Sequence, residues 1–146
     1  MAMAQPTHST ISTAPEAFAA VALAAVACDG ELASLEARSL RQQLEFRHPY
    51  RDWSDAAMGD LLDRLLQLLR EDGWPELVRQ AAPLLEGPAA ETALAVAAAL
   101  TQADHVESSE EHSFLASLSQ ALALDPARAA QIVEVVAVLN RDSLAS

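Results

Sequence analysis

Aromatic residues are scarce in this chain: three Phe, two Trp and one Tyr in 146 positions. No period-2 run of β-branched or aromatic side chains is long enough to read as a strand. Cysteine occurs once, at Cys28. That excludes an internal disulfide and points to a reducing compartment. Nine basic residues stand against twenty-one acidic ones, a formal charge of −12. Such a surface repels phosphate backbones and argues against nucleic acid as a partner. It suits cations or basic protein surfaces, and it equally keeps an apolar chain in solution. No Gly-x-Ser-x-Gly, Walker A or His-Glu-x-x-His pattern occurs, so nothing marks an enzyme of those classes. Residues 1–15 also lack Lys and Arg. The apolar run "FAAVALAAVAC" that follows Glu16 therefore does not read as a secretory signal, which needs a positive leading region. It also falls short of the ~20 residues that cross a bilayer. The expectation is a cytoplasmic protein without direct membrane insertion.

What the chain has is alanine and leucine, both strong helix formers. The expected fold is all-α: about seven helices in a single-domain bundle over residues 13–142, after a disordered tail over residues 1–12. Thr13, Pro15 and Glu16 read as the start of a first helix running to about Cys28. Its faces are apolar almost all round, which predicts a central, buried helix with Cys28 as a small core residue. A second helix is expected over 34–47, with Leu35, Leu40, Leu44 and Phe46 on its apolar side, broken by Pro49. Ser54 caps a third, over 55–71, with a stripe of Met58, Leu61, Leu62, Leu65, Leu66, Leu68 and Leu69. Gly73 stops it. Pro75 begins a fourth, to about Leu85, which Pro83 shortens or kinks.

A fifth helix, over 88–103, repeats the alanine-rich composition of the first. Ser108 and Glu111 form a capping box for a sixth, to about Leu124. Asp125 and Pro126 open a seventh, to Leu139, with Ile132, Val135, Val136 and Leu139 on one face. Trp53 and Trp74 read as packing anchors. Arg47, Arg51, Arg64, Arg70 and Arg79 hold much of the positive charge; a local patch is one reading of them, and separate pairing over the surface is the expected one.

A shift of seventy-five positions superimposes two stretches without a gap. Glu16 meets Glu91, Asp29 meets Asp104, Ser34 meets Ser109, Glu36 meets Glu111 and Leu40 meets Leu115. The fold is then two helix–turn–helix units with acidic elbows, "ACDGELASLE" and "ADHVESSEE". The first resembles the end of a calcium loop, but Ala25 and Ala27 stand where side-chain oxygens are needed, so a full calcium loop cannot form there. Facing each other, Asp29, Glu36, Asp104 and Glu111 could hold a hard divalent cation with water completing its shell. The same residues are also ordinary helix-cap grammar, so the elbows read equally as structural turns. A softer zinc set of His105, Glu111 and His112 is disfavoured, because adjacent helical residues point ~100° apart.

Asp29-Gly30-x-Leu32-x-x-x-Glu36 after an alanine-rich helix, with its second Asp104…Glu111 copy, resembles the TerB-like tellurite-resistance domains. The resemblance covers residues 13–139. It implies an all-α intracellular stress-response domain without established enzymatic activity, whose acidic turns bind a divalent cation (Ca, Mg, Mn or Zn). The matching positions are Asp29, Glu31 and Glu36 in the first elbow and Asp104 and Glu111 in the second. The second copy departs from the pattern: His105 replaces Gly, and Val106 stands opposite Glu31, with the acid displaced to Glu107. The function expected from the resemblance is cation binding together with docking of a protein partner. The alternative is a purely structural interaction module whose acidic turns are only caps.

Overall fold

A computed structural model describes residues 10–28, 34–102 and 108–144. Seven α-helices form a bundle with no strand among the described residues: α1 (Ala14–Ala27), α2 (Ser34–Glu45), α3 (Asp55–Asp72), α4 (Trp74–Ala81), α5 (Pro88–Thr101), α6 (Ser109–Ala121) and α7 (Pro126–Leu139). The expected all-α fold of about seven helices is therefore observed. None of the described helices is long and apolar enough to cross a membrane.

The helix starts follow local chemistry. Thr13 Oγ1 accepts from the Glu16 N–H at 3.3 Å, and Glu16 Oε1 accepts from the Thr13 N–H at 3.1 Å, a complete capping box. Ser54 caps α3 through the Ala57 N–H, and Asp125 caps α7 through the Arg128 N–H. Gly73 ends α3 with φ +83°, a conformation that disfavours any residue with a Cβ, and returns its N–H to Leu69 O at 2.8 Å. Pro83 truncates α4, as expected, leaving a short 3₁₀ turn over Ala82–Leu84. Helix α6 stops at Ala121, earlier than its apolar pattern suggests. Ala123 adopts φ +56°, and the Leu124 N–H turns back to Ser119 O.

Helix α1 is the axis of the core. Ala17 and every residue from Ala19 to Val26 are buried. The helix packs against α2, α3, α4 and α5, so it has no solvent face left to make polar. Cys28 is buried at its end, with Sγ donating to Ala25 O at 3.3 Å. Ile11 lies inside the segment expected to be a tail, yet it is buried and its N–H donates to Gln80 Oε1 of α4 at 2.8 Å. Residues 1–9 lie outside the described residues. Met58, Leu61, Leu65 and Leu68 of α3 are buried, with Leu62, Leu66 and Leu69 packed at the margin. The two tryptophans anchor helix packing, as expected. Trp53 sits edge-on to Tyr50, and Trp74 edge-on to Phe114 at 5.1 Å between centroids.

Two apolar faces differ from their pattern. On α7, Val136 and Ala129 are buried and Ile132 and Val133 half-buried, but Val135 is 65% and Leu139 79% exposed. Helix α7 leans on α5 and α6 from one side only. Val135 projects ~100° around the helix from Val136 and is left in solvent. Phe46, expected on the inner side of α2, is 60% exposed because α2 ends at Glu45 and the chain turns before it.

Candidate functional site

The duplicated unit is visible in the helices. α1 and α5 are each fourteen residues long, alanine-rich, and packed against one another. Glu16 and Glu91, equivalent in the repeat, each bind an arginine two helices further along the chain. Arg64 of α3 reaches Glu16 Oε2 at 2.7 Å, and Arg128 of α7 reaches Glu91 with contacts of 2.9 and 3.2 Å. Both copies thus tie the start of their buried helix to the outer helix of their own half.

Partial burial works to raise the Glu16 pKa, but it is outweighed. Arg64, the Ser12 N–H and the Thr13 and Ser12 hydroxyls together pull the carboxyl from 4.5 down to about 2. A depressed carboxylate stabilises the fold fully above its unfolded pKa, and that stabilisation is lost as pH falls towards 2. Half-exposure of Arg64 screens the pair, which leaves roughly 1–2 kcal/mol. Glu16→Gln should lower the melting temperature at pH 7 by about 3–6 °C. Its melting curve should converge on the parent's between pH 4.5 and 2. A constant gap across that range would contradict the assignment. Glu91 is also lowered, chiefly by its bond to Arg128.

The elbows follow α1 and α5. Asp29, Glu31, Asp104, His105 and Glu107 lie outside the described residues, as does the Glu36 side chain. Glu36 belongs to the first turn of α2, and Glu111 to the first turn of α6. Ser108 Oγ accepts from the Glu111 N–H at 3.2 Å and lies 3.1 Å from Glu111 Oε1, so this glutamate takes part in the cap of its helix. Thr101, Glu111, His112 and Glu134 line one cavity of about 310 Å³ between the end of α5, α6 and α7. Among the described residues, no group of three or more His, Cys, Asp or Glu side chains could hold a metal ion. The structure thus places Glu111 and leaves the convergence of the elbows undescribed.

A second feature lies in the loop between α2 and α3. Residues 46–53, "FRHPYRDW", hold three of the six aromatics. Residues 46–51 of this loop, with the starts of α1 and α5, line an open groove of about 680 Å³. Exposed Phe46 and half-buried Phe18, over the buried Tyr50 and Leu85, supply its apolar surface, and Arg47, His48 and Arg51 its polar one, with no Asp or Glu among the described residues that line it. The guanidinium of Arg47 stacks 4.7 Å from the Phe46 ring centroid and 5.8 Å from that of Phe18. Its Nε donates to Gln43 O at 2.7 Å. Burial lowers the Arg47 pKa, with Tyr50 opposing. The Tyr50 hydroxyl donates to Pro15 O, and burial pushes its pKa upward.

Of the five arginines expected to pair separately, Arg64 and Arg79 bind carboxylates, as Arg41 and Arg128 also do. Arg47 and Arg51 form no ion pair among the described residues. The signal that could have found them is the interleaving of arginine with aromatics in one short loop.

Comparison with protein-family models, curated proteins and solved structures finds no match to the chain.

Proposed function

We propose that the chain is a non-enzymatic, TerB-like stress-response protein that binds a divalent cation between its paired acidic elbows and docks a protein partner. The observation that supports this reading is the duplicated frame. Two alanine-rich helices of equal length pack together, each tied by an equivalent glutamate to an outer arginine. Each leads into an acidic elbow, and the next helices begin at Ser34 and Ser109, seventy-five positions apart. Carboxylates from two such elbows would repel one another without a cation between them. The sequence offers Asp29, Glu31, Glu36, Asp104, Glu107 and Glu111 as oxygen ligands, a set suited to a hard ion.

One observation favours the alternative, a structural interaction module. Glu111 is already engaged with the cap residue Ser108. Thermal melts with Ca²⁺, Mg²⁺, Mn²⁺ or Zn²⁺ separate the two readings. At a hundredfold excess over Kd, a native-state ligand adds about 2.7 kcal/mol, so one of these ions should raise the melting temperature by about 5–10 °C. Glu36→Gln combined with Glu111→Gln should abolish the rise. A melting temperature unmoved by all four ions at millimolar concentration would leave the module reading standing.

A further inference from the structure

We propose that the groove beneath Phe46 is the partner-docking surface and that it receives a short acidic–apolar peptide segment, in which Asp or Glu side chains alternate with large apolar ones. This rests on the partner-docking half of the proposed function and is independent of the cation half.

Three observations select that occupant. The first is charge. The chain as a whole is strongly acidic, yet among the described residues the groove is lined by Arg47, His48 and Arg51 without a carboxylate. Ala14 and Pro15, in the first turn of α1, and Ala89, in the first turn of α5, stand at the same groove. Arg47 and Arg51 pair with no carboxylate among the described residues, although acids outnumber bases more than twofold in the sequence. A planar guanidinium held against aromatic rings presents its remaining N–H groups in a fixed direction, the geometry that accepts a carboxylate.

The second observation is apolar surface. Phe46 is 60% exposed at the groove, and Phe18, Tyr50 and Leu85 lie around it. A peptide that places a leucine or phenylalanine there covers Phe46 and keeps its acid within reach of Arg51. The third is shape. Small-molecule sites enclose most of their ligand's surface. Here Ala14, Phe46, His48, Arg51 and Ala89 are all exposed, so the site is an open surface groove rather than an enclosed cavity. A peptide segment can cover such an open site from Phe46 to Arg51, whereas a small amphiphile would remain largely in water.

The test is fluorescence anisotropy on the full chain in buffer containing EDTA. The probe is a fluorescein-labelled octapeptide alternating Glu with Leu and Phe. Saturable binding is expected. A matched peptide with Lys in place of Glu should bind at least about tenfold more weakly, and so should one with Ser in place of Leu and Phe. Arg51→Glu and Phe46→Ser should each weaken the acidic peptide about tenfold while leaving the far-ultraviolet circular dichroism unchanged, because both side chains are exposed. Arg47→Ala removes a bond to Gln43 as well, so it serves only as a supporting variant.

Absence of saturable binding would overturn the proposal. So would equal affinity for the lysine peptide, or indifference to Arg51→Glu. Decanoate binding in the groove while the peptide fails to bind would replace the peptide with a small amphiphile and equally overturn it. Because EDTA is present throughout, failure here leaves the metal melts untouched. A negative metal melt likewise leaves this titration untouched.

Discussion

Phe114→Ala should remove about 3–5 kcal/mol of stability and lower the melting temperature by roughly 10–20 °C. Phe114 is fully buried in α6 and is the largest of the fully buried side chains. Its ring meets Trp74 of α4 edge-on at 5.1 Å between centroids, a contact worth about 0.5–1.5 kcal/mol beyond area alone. Truncation leaves a cavity that the surrounding helices can close only in part. Much of a net stability of about 5–15 kcal/mol would then be gone. Chemical denaturation read by Trp fluorescence measures it directly. Phe114→Leu separates lost volume from lost ring geometry and should cost less than half as much. A loss below about 1 kcal/mol for Phe114→Ala would mean that α6 is not held to α4 through this ring.

Ala97→Leu should be nearly as damaging, by the opposite route. Ala97 is fully buried in α5, which packs against α1 on one side and α7 on another. Helix α1, packed against α5, is equally full of buried alanines, with Ala17, Ala19, Ala20 and Ala24 all without exposure. Small side chains on both helices permit close approach of the two backbones. Three added carbons must push the helices apart or twist into a strained rotamer, typically a loss of about 1–3 kcal/mol. Because α1 is the centre of the bundle, the displacement would also reach α2, α3 and α4, which places the expectation at the upper end of that range. Ala97→Gly tests the same position from below: it should cost about 1 kcal/mol through helix propensity alone. If Ala97→Leu proved neutral or stabilising, the alanine-rich interface would have to be loosely packed rather than close-fitting.

The elbow residues show how unevenly the site could be read. The Asp–Gly turn, its repeat and the flanking caps are sequence patterns, and the candidate ligand set is legible in them. Of that set, Glu111 alone has a described side chain, and it is found in a cap. The groove was not legible. Its lining joins Ala14 and Pro15 to Arg47, Tyr50, Leu85 and Thr92, positions brought together only by packing α1 between distant helices. The α7 face failed for a related reason. Val135 and Leu139 match the period of a buried stripe, but burial depends on which side of the helix a neighbour occupies.

The order and approximate limits of the helices were determined by the sequence alone, because caps and breakers act within a few residues. Thr13 with Glu16, Ser54, Gly73, Pro83, Ser108 and Asp125 each satisfy or deny backbone hydrogen bonds of their immediate neighbours. The deep burial of α1 was determined there too, since a helix without a polar face can be stable only inside. Tertiary structure decided which arginines pair, which apolar side chains stay in water, and where a basic groove opens in an acidic protein. Those outcomes depend on distances between residues far apart in the chain, and such distances exist only after the bundle has closed.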